Sequence, residues 1–283
     1  MNQETITYLT NIVIGVILGA LATHYWQQRR QSGVLACWAV AAWVLTAADV
    51  LFAARQILPP TLGRLLPTLC VTLGHAVLFS GAQKTASRDL RISVVVGVVV
   101  HAAALTGFLF VEGAGNFRMA VNGLIWGGFS VASGWCLRRG SPFFWQPLFA
   151  PANAFFAHAG FHALRVVLAI AFAQLGWAKG SAVLQVAGDL EVSFFMVALF
   201  VGLLVAHLQL QHEELMQTRA EVQTLSGLLP ICAWCKKVRD DDGYWQQVED
   251  YFSRRSGVRF THGVCVDCLG KLKEQGPEIE TPS

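Results

Sequence analysis

Seven apolar stretches, each near the length that crosses a bilayer, fill most of the first 207 residues: 8–25, 34–57, 65–81, 92–111, 120–137, 152–173 and 182–207. A bilayer core takes roughly 20 mostly apolar residues per helix. Backbone N–H and C=O groups in hydrocarbon must be satisfied within the segment, so helices are the expected form and continuous apolar runs exclude a barrel. Composition agrees: 54% of the 283 residues are hydrophobic and 14% charged, where soluble domains average about 25% charged. From Glu213 onward the chain turns polar. The expectation is an all-α bundle of seven transmembrane helices in contact with the lipid bilayer, joined to a smaller polar region. A net charge of +3 gives no reason to expect nucleic-acid binding.

Basic residues set the expected orientation. The first, third and fifth gaps hold Arg29, Arg30, Lys84, Arg88, Arg91, Arg138 and Arg139; the second, fourth and sixth hold Arg55, Arg64, Arg118 and Lys179. Seven against four puts the amino terminus outside and the carboxyl terminus in the cytoplasm. The first span has basic residues after it and none before, the wrong polarity for a cleaved signal peptide.

Ionisable residues within spans are costly and face the bundle interior. Asp49, His162, Arg165, Asp189 and Glu191, with Glu112 and Asn122 nearby, form a candidate outward-opening sensing pocket; the alternative is a set of structural interhelical bonds. His158 and His162 stand four apart, on one helical face. That pair admits a haem or metal reading, with His75 and His101 as candidate partners. The seventh span carries no interior lysine for a retinal Schiff base. Gly15-x3-Gly19 and Gly123-x3-Gly127 permit close helix contact, within or between chains. Cys37, Cys70 and Cys136 read as small apolar packing groups.

Beyond the last span, Val201, Leu208, Leu215, Val222 and Leu229 recur every seven residues. This predicts a helical stalk over 208–227 that either pairs with a second copy as a short coiled coil or packs on its own module. Ser226, Gly227 and Pro230 end it. His212-Glu213 superficially resembles a phosphoacceptor box, but no nucleotide-binding domain accompanies it.

Residues 228–273 are too few for a self-sufficient hydrophobic core. They carry Cys232-x-x-Cys235 and Cys265-x-x-Cys268, the spacing of a structural zinc site with four thiolates. His262 precedes the second pair and is expected to donate to a thiolate. The predicted elements are a turn at 240–243, a helix over 244–255 with Trp245, Val248, Tyr251 and Phe252 on one face, a strand over 258–261, and a last helix from Cys265 to Lys273. Together they describe a small α+β module, treble-clef-like or ribbon-like. Tyr244 and Trp245 are either its core or, with Lys236 and Lys237, contacts for a partner. Residues 274–283 read as a disordered tail.

The run from Leu225 through Pro230, Cys232, Trp234, Cys235, Lys236, Lys237 and Arg239, then Gly243, Tyr244 and Trp245, then Phe260, His262, Gly263, Cys265 and Cys268, resembles a short carboxyl-terminal module of bacterial signalling proteins. In that group it follows PAS, receiver and related sensory domains, often after a coiled coil. Where Ser or Pro is expected beside the cysteines, this chain has Ala233 and Val266, and no thiol is lost. The resemblance implies a two-component or related signalling context and no catalytic activity.

The combined expectation is a sensor without its own enzyme domain: residues 1–207 perceive, 208–227 transmit, and 228–273, with bound zinc, contact a cytoplasmic signalling protein. The competing readings are a transporter or channel with a regulatory zinc module, and a haem- or metal-binding membrane redox protein.

Overall fold

The computed structural model describes residues 3–86, 91–108, 115–226, 230–240 and 242–274. Arg88, Glu112, Leu229, Asp241 and the tail from 275 lie outside them. Among the described residues, a helix occupies most of each of the seven apolar stretches: α1 (Gln3–Gln28), α2 (Gly33–Ala53), α3 (Pro60–Thr85), α4 (Arg91–Phe108), α5 (Gly115–Leu137), α6 (Pro151–Leu175) and α7 (Ala178–Ser226). Among the described residues, α1, α2, α3, α6 and α7 are long and apolar enough to cross a membrane. The chain is thus a helical bundle of the multi-pass membrane type.

Local chemistry places the helix ends. Ser32 caps α2 by accepting the Leu35 N–H at 3.3 Å. Pro60 and Pro151 stand at the first positions of α3 and α6, where the missing N–H costs no bond. Gly176, at φ 62°, closes α6 in the left-handed conformation. Pro67 lies inside α3, a position that membrane helices tolerate.

The bundle divides into an apolar centre and a lipid-compatible rind. Trp38, Leu45, Leu78, Phe79, Phe155, Phe195 and Leu199 pack at its centre. Outward positions remain apolar, as at Val13, Ile17, Val95, Val99, Leu164 and Val167. Helices that are apolar all round suit hydrocarbon rather than water. Helix α3 packs against α2, α4 and α5, and α5 against α6.

Small residues let backbones close up. Gly15 and Gly19 of α1 leave room for Thr46 and Trp43 of α2, and Gly123 and Gly127 of α5 lie against His162 of α6. Both motifs are therefore used within one chain. Helices α1 and α7 run side by side in the same direction: Tyr8 reaches Asp189 near the start of α7, and the Tyr25 hydroxyl accepts from Gln211 further along it.

The chain divides into two compact units, Met1–Glu213 and Glu214–Ser283, the boundary falling within α7. The second unit contains a two-stranded antiparallel hairpin, β1 (Val238–Arg239) and β2 (Trp245–Gln246), then α8 (Val248–Ser256) and α9 (Val266–Glu274). Two sequence expectations are corrected here. Trp245 belongs to β2, not to a helix starting at 244; the Asp240 turn folds it back onto β1, with Asp240 Oδ1 accepting the Tyr244 N–H at 2.7 Å and Gly243 at φ 89°. Residues 258–261 form no strand, because β1 takes β2 as its partner. The last helix is present from Val266, directly after Cys265.

Gly202 of α7 shows how tightly the bundle closes. A methyl group there would stand 2.6 Å from the Phe149 backbone oxygen and 3.3 Å from the Pro151 nitrogen. Neither backbone atom can swing aside. Gly202→Ala is expected to destabilise the bundle by about 1–3 kcal/mol. Gly128→Ala, where the added methyl meets open space, is expected to leave stability unchanged or slightly raised. Thermal unfolding in detergent compares the two.

Candidate functional site

The polar residues of the spans do not scatter over the bundle. Many of them line one cavity of about 230 Å³ between the helices. Tyr8 and Asn11 reach it from α1, Asp49 from α2, His75 from α3, Asn122 and Trp126 from α5, His158, His162 and Arg165 from α6, and Gln185 and Asp189 from α7. Arg55, Arg64 and Arg118, from the ends of the helices, complete its wall.

Three hydrogen-bonded chains hold these groups. In the first, Arg165 Nη2 donates to Gln185 Oε1 at 3.0 Å, Gln185 Nε2 donates to Asp189 Oδ1 at 2.9 Å, and the Tyr8 hydroxyl donates to Asp189 Oδ2 at 3.2 Å. Asn11 extends it, donating to the Asp189 carbonyl at 3.2 Å and to Asp49 Oδ1 at 3.5 Å while accepting from Ser193. Gly188 makes space for the guanidinium: a methyl there would sit 2.7 Å from Arg165 Cζ. The spacing of Gln185, Gly188 and Asp189 puts all three on one face of α7.

In the second chain, Asn122 Oδ1 accepts from His101 Nε2 at 2.9 Å, leaving His101 Nδ1 to accept the Thr72 hydroxyl at 2.6 Å. Trp126 Nε1 donates to the same hydroxyl at 3.0 Å. This ties α3, α4 and α5 together.

The third chain is built of imidazoles. His158 Nδ1 pairs with Glu191, 2.8 Å from Oε1 and 3.0 Å from Oε2. On its other side, His158 Nε2 faces His75 Nε2 at 3.1 Å and His162 Nε2 at 3.2 Å. His75 Nδ1 donates to the Val71 carbonyl at 2.9 Å. All three rings are buried. Phe195 stacks on His158 with centroids 3.8 Å apart, which fixes the plane of the ring. His162 Nδ1 and Arg165 Nε are buried without a hydrogen-bond partner. Among the described residues, His158, His162 and Glu191 offer ligand atoms within 4.8 Å of one another.

Four of the five expected pocket residues, Asp49, His162, Arg165 and Asp189, share this cavity. Glu191 stands behind His158 as its carboxylate partner. Sequence reasoning passed over Tyr8, Asn11, Gln185 and Ser193, whose neutral side chains carry no signal of burial. Gln185, four residues before Asp189, was legible only as helical spacing. His24, bonded to Gln28, and His207, bonded to the Leu203 carbonyl, stand apart from the site.

In the second unit, the first cysteine pair forms a tight turn. The Cys235 N–H points at Cys232 Sγ at 3.5 Å, the Lys236 N–H donates to the Cys232 carbonyl at 3.0 Å, and Lys236 adopts φ 60°. The Cys235 backbone N–H, helped by that of Trp234, holds the Cys232 thiol below its ordinary pKa. The Cys268 backbone N–H acts likewise on Cys265, beside the first turn of α9. Cys232 and Cys265, one thiol in each pair, are thus disposed toward thiolate, the form that binds metal. The two pairs are separate turns: among the described residues, no three of the thiols have sulfurs within 4.8 Å of one another. All seven cysteines are free of disulfides. Among the described residues of this unit Val238 is fully buried, while Tyr244 is 72% and Trp245 49% exposed. The aromatics are therefore surface groups, not core.

No protein family, curated protein or solved structure matches the chain.

The imidazole chain depends on its carboxylate. Glu191→Leu strips His158 Nδ1 of its acceptor in a buried setting and is expected to cost about 1–3 kcal/mol. Glu191→Gln, which still accepts a hydrogen bond, is expected to lose less. Thermal unfolding of the purified chain in detergent measures both.

Proposed function

We propose that the chain is a bacterial inner-membrane sensor in which all seven long helices cross the membrane, and in which a ligand in the intrahelical cavity biases α7. The observation that carries this reading is the continuity of α7. One unbroken helix supplies Gln185, Gly188, Asp189 and Glu191 to the site and runs on to Ser226, leading to the cysteine module. A change in the bonds made by Arg165 or Asp189 acts directly on a rigid rod. A ligand switches such a rod only by binding one bundle state better than another.

The stalk supports pairing with a second copy. Leu208, Leu215 and Val222, on the seven-residue repeat, are 49%, 49% and 56% exposed, an apolar stripe that a partner helix covers. The orientation is supported by the fate of the arginines. Arg55, Arg64 and Arg118 wall the cavity, so their position follows from the site rather than from topology. Of the even-gap basic residues this leaves Lys179, set against seven in the odd gaps. The carboxyl terminus is accordingly assigned to the cytoplasm, where reduced thiols favour a zinc ion over disulfides. With Zn2+ bound by Cys232, Cys235, Cys265 and Cys268, and His262 donating to a thiolate, the module is a clamped output surface. Exposed Trp234, Tyr244 and Trp245 offer a cytoplasmic signalling protein the kind of aromatic anchors that dominate interfaces.

Oxidative cross-linking in native membranes tests the transducer. Leu215→Cys is expected to join two chains where the parent sequence does not. Adding Arg165→Gln, which disturbs the site at the far end of the same helix, is expected to change the cross-linking yield at least about 5-fold, the lower range of allosteric couplings. No cross-link at Leu215→Cys, or a yield indifferent to Arg165→Gln, contradicts the proposal.

A further inference from the structure

The imidazole chain is incomplete as a set of hydrogen bonds. His75 carries its proton on Nδ1, which donates to the Val71 carbonyl. His158 carries its proton on Nδ1, facing Glu191. Their Nε2 atoms, 3.1 Å apart, therefore meet lone pair to lone pair in a buried space. His162 Nε2 stands 3.2 Å from the same His158 nitrogen. At most one of these contacts is relieved by a hydrogen from His162, and then His162 Nδ1, already without a partner, stays bare. Burying unpaired polar atoms in this way is expensive. A cation resolves it.

Two kinds of cation are available. A proton bridges two nitrogens and has no use for a third. A transition-metal ion gathers three or four donors, and the surroundings supply them. His158 and His162 are four apart on α6, the helical spacing that lets two imidazoles grip one ion. Two nitrogens on one tetrahedral ion with bonds of about 2.0 Å stand about 3.3 Å apart, close to both contacts of His158 Nε2. Glu191, held against Nδ1 by both its oxygens, is placed as the carboxylate that orients a ligating imidazole and raises its basicity. Phe195 and Trp126 pack on the rings and keep them from turning away.

We infer that the bundle binds one transition-metal ion of the class that imidazole selects, Zn2+ or Cu2+, through the Nε2 atoms of His158 and His162, with His75 as the further imidazole beside them and Glu191 orienting His158 from Nδ1. This inference rests on the sensor reading in that the ion lies against α7 through Glu191, but metal binding is measured separately from signalling. It also differs from the thiolate site of the cysteine module, from which it is separated by its donors.

Metal analysis of the full-length chain, purified in detergent under reducing conditions, tests it. In a Cys232→Ser, Cys265→Ser chain, which removes the thiolate site, about one ion per chain is expected to remain or to be taken up from added Zn2+ or Cu2+. Adding His158→Gln or His162→Gln is expected to weaken that uptake at least about 100-fold, beyond the loss typical of removing a group that merely supports a ligand. His207→Gln, on α7 but bonded to the Leu203 carbonyl apart from the site, is the control for folding and is expected to bind normally. The decisive arm keeps every histidine: the Cys232→Ser, Cys265→Ser chain, stripped by chelator and titrated with Co2+, is expected to develop the visible absorption of a nitrogen- and oxygen-bound ion. Failure of that chain to bind Zn2+, Cu2+ or Co2+ while it remains monodisperse overturns the metal site, as does unchanged binding after His158→Gln. If metal binding fails and the stalk still responds to Arg165→Gln, the sensor stands without the ion; if the ion binds and the stalk is indifferent, the reverse holds.

Discussion

Hydrocarbon gives a polar side chain no water to fall back on, so each ionisable group in this bundle must be answered by another group from the protein. That constraint organises the molecule. Asp189 is met by Tyr8 and Gln185, Glu191 by His158, and His101 by Asn122 and Thr72. Because the partners come from different helices, satisfying them fixes how the helices assemble. Apolar helices have many ways to pack in lipid, where burial of apolar surface discriminates little between them. The hydrogen-bonded chains choose among those ways.

The same bonds concentrate consequence in α7. Its early turns carry Gln185, Asp189, Glu191 and Ser193 into the polar centre, and Gly188 and Gly202 bring its backbone within contact of Arg165 and of the segment entering α6. A helix held by polar bonds at one end and by backbone contact further along cannot absorb a local change by bending freely. In the sensor proposed above, a rearrangement in the cavity acts on this helix. Further along, α7 exposes Leu208, Leu215 and Val222, the stripe that the proposal gives to a second copy.

Much of this was legible in the residues, and the remainder failed for physical reasons. The apolar runs announced every long helix because length and hydropathy alone dictate helices in lipid. Asp49, His162, Arg165 and Asp189 were recognisable as one site because charge in a span has few other places to go. The spacing of His158 and His162 was visible too, but His75 contributes from α3, and no periodicity in a sequence says which helix lies beside which. Tyr8 and Asn11 were missed on the same account: an amide or phenol in an apolar helix is common, and only the approach of α7 gives it meaning. In the cysteine module, the apolar spacing around Trp245 imitated a helix, while the Asp240 turn set it in a strand instead. A turn of four residues outweighed periodicity because the hairpin it closes satisfies backbone groups at once.

The orientation proposed for the chain has the carboxyl-terminal cysteine module in the cytoplasm and the polar cavity of the bundle open to the outside. Labelling with a membrane-impermeant thiol reagent addresses it most directly, using Arg64→Cys at the cavity wall and Gln246→Cys in the hairpin, each compared with the parent chain. In intact spheroplasts the first is expected to react and the second to react only after lysis. Reaction of Gln246→Cys in intact spheroplasts, or protection of Arg64→Cys until lysis, contradicts the account.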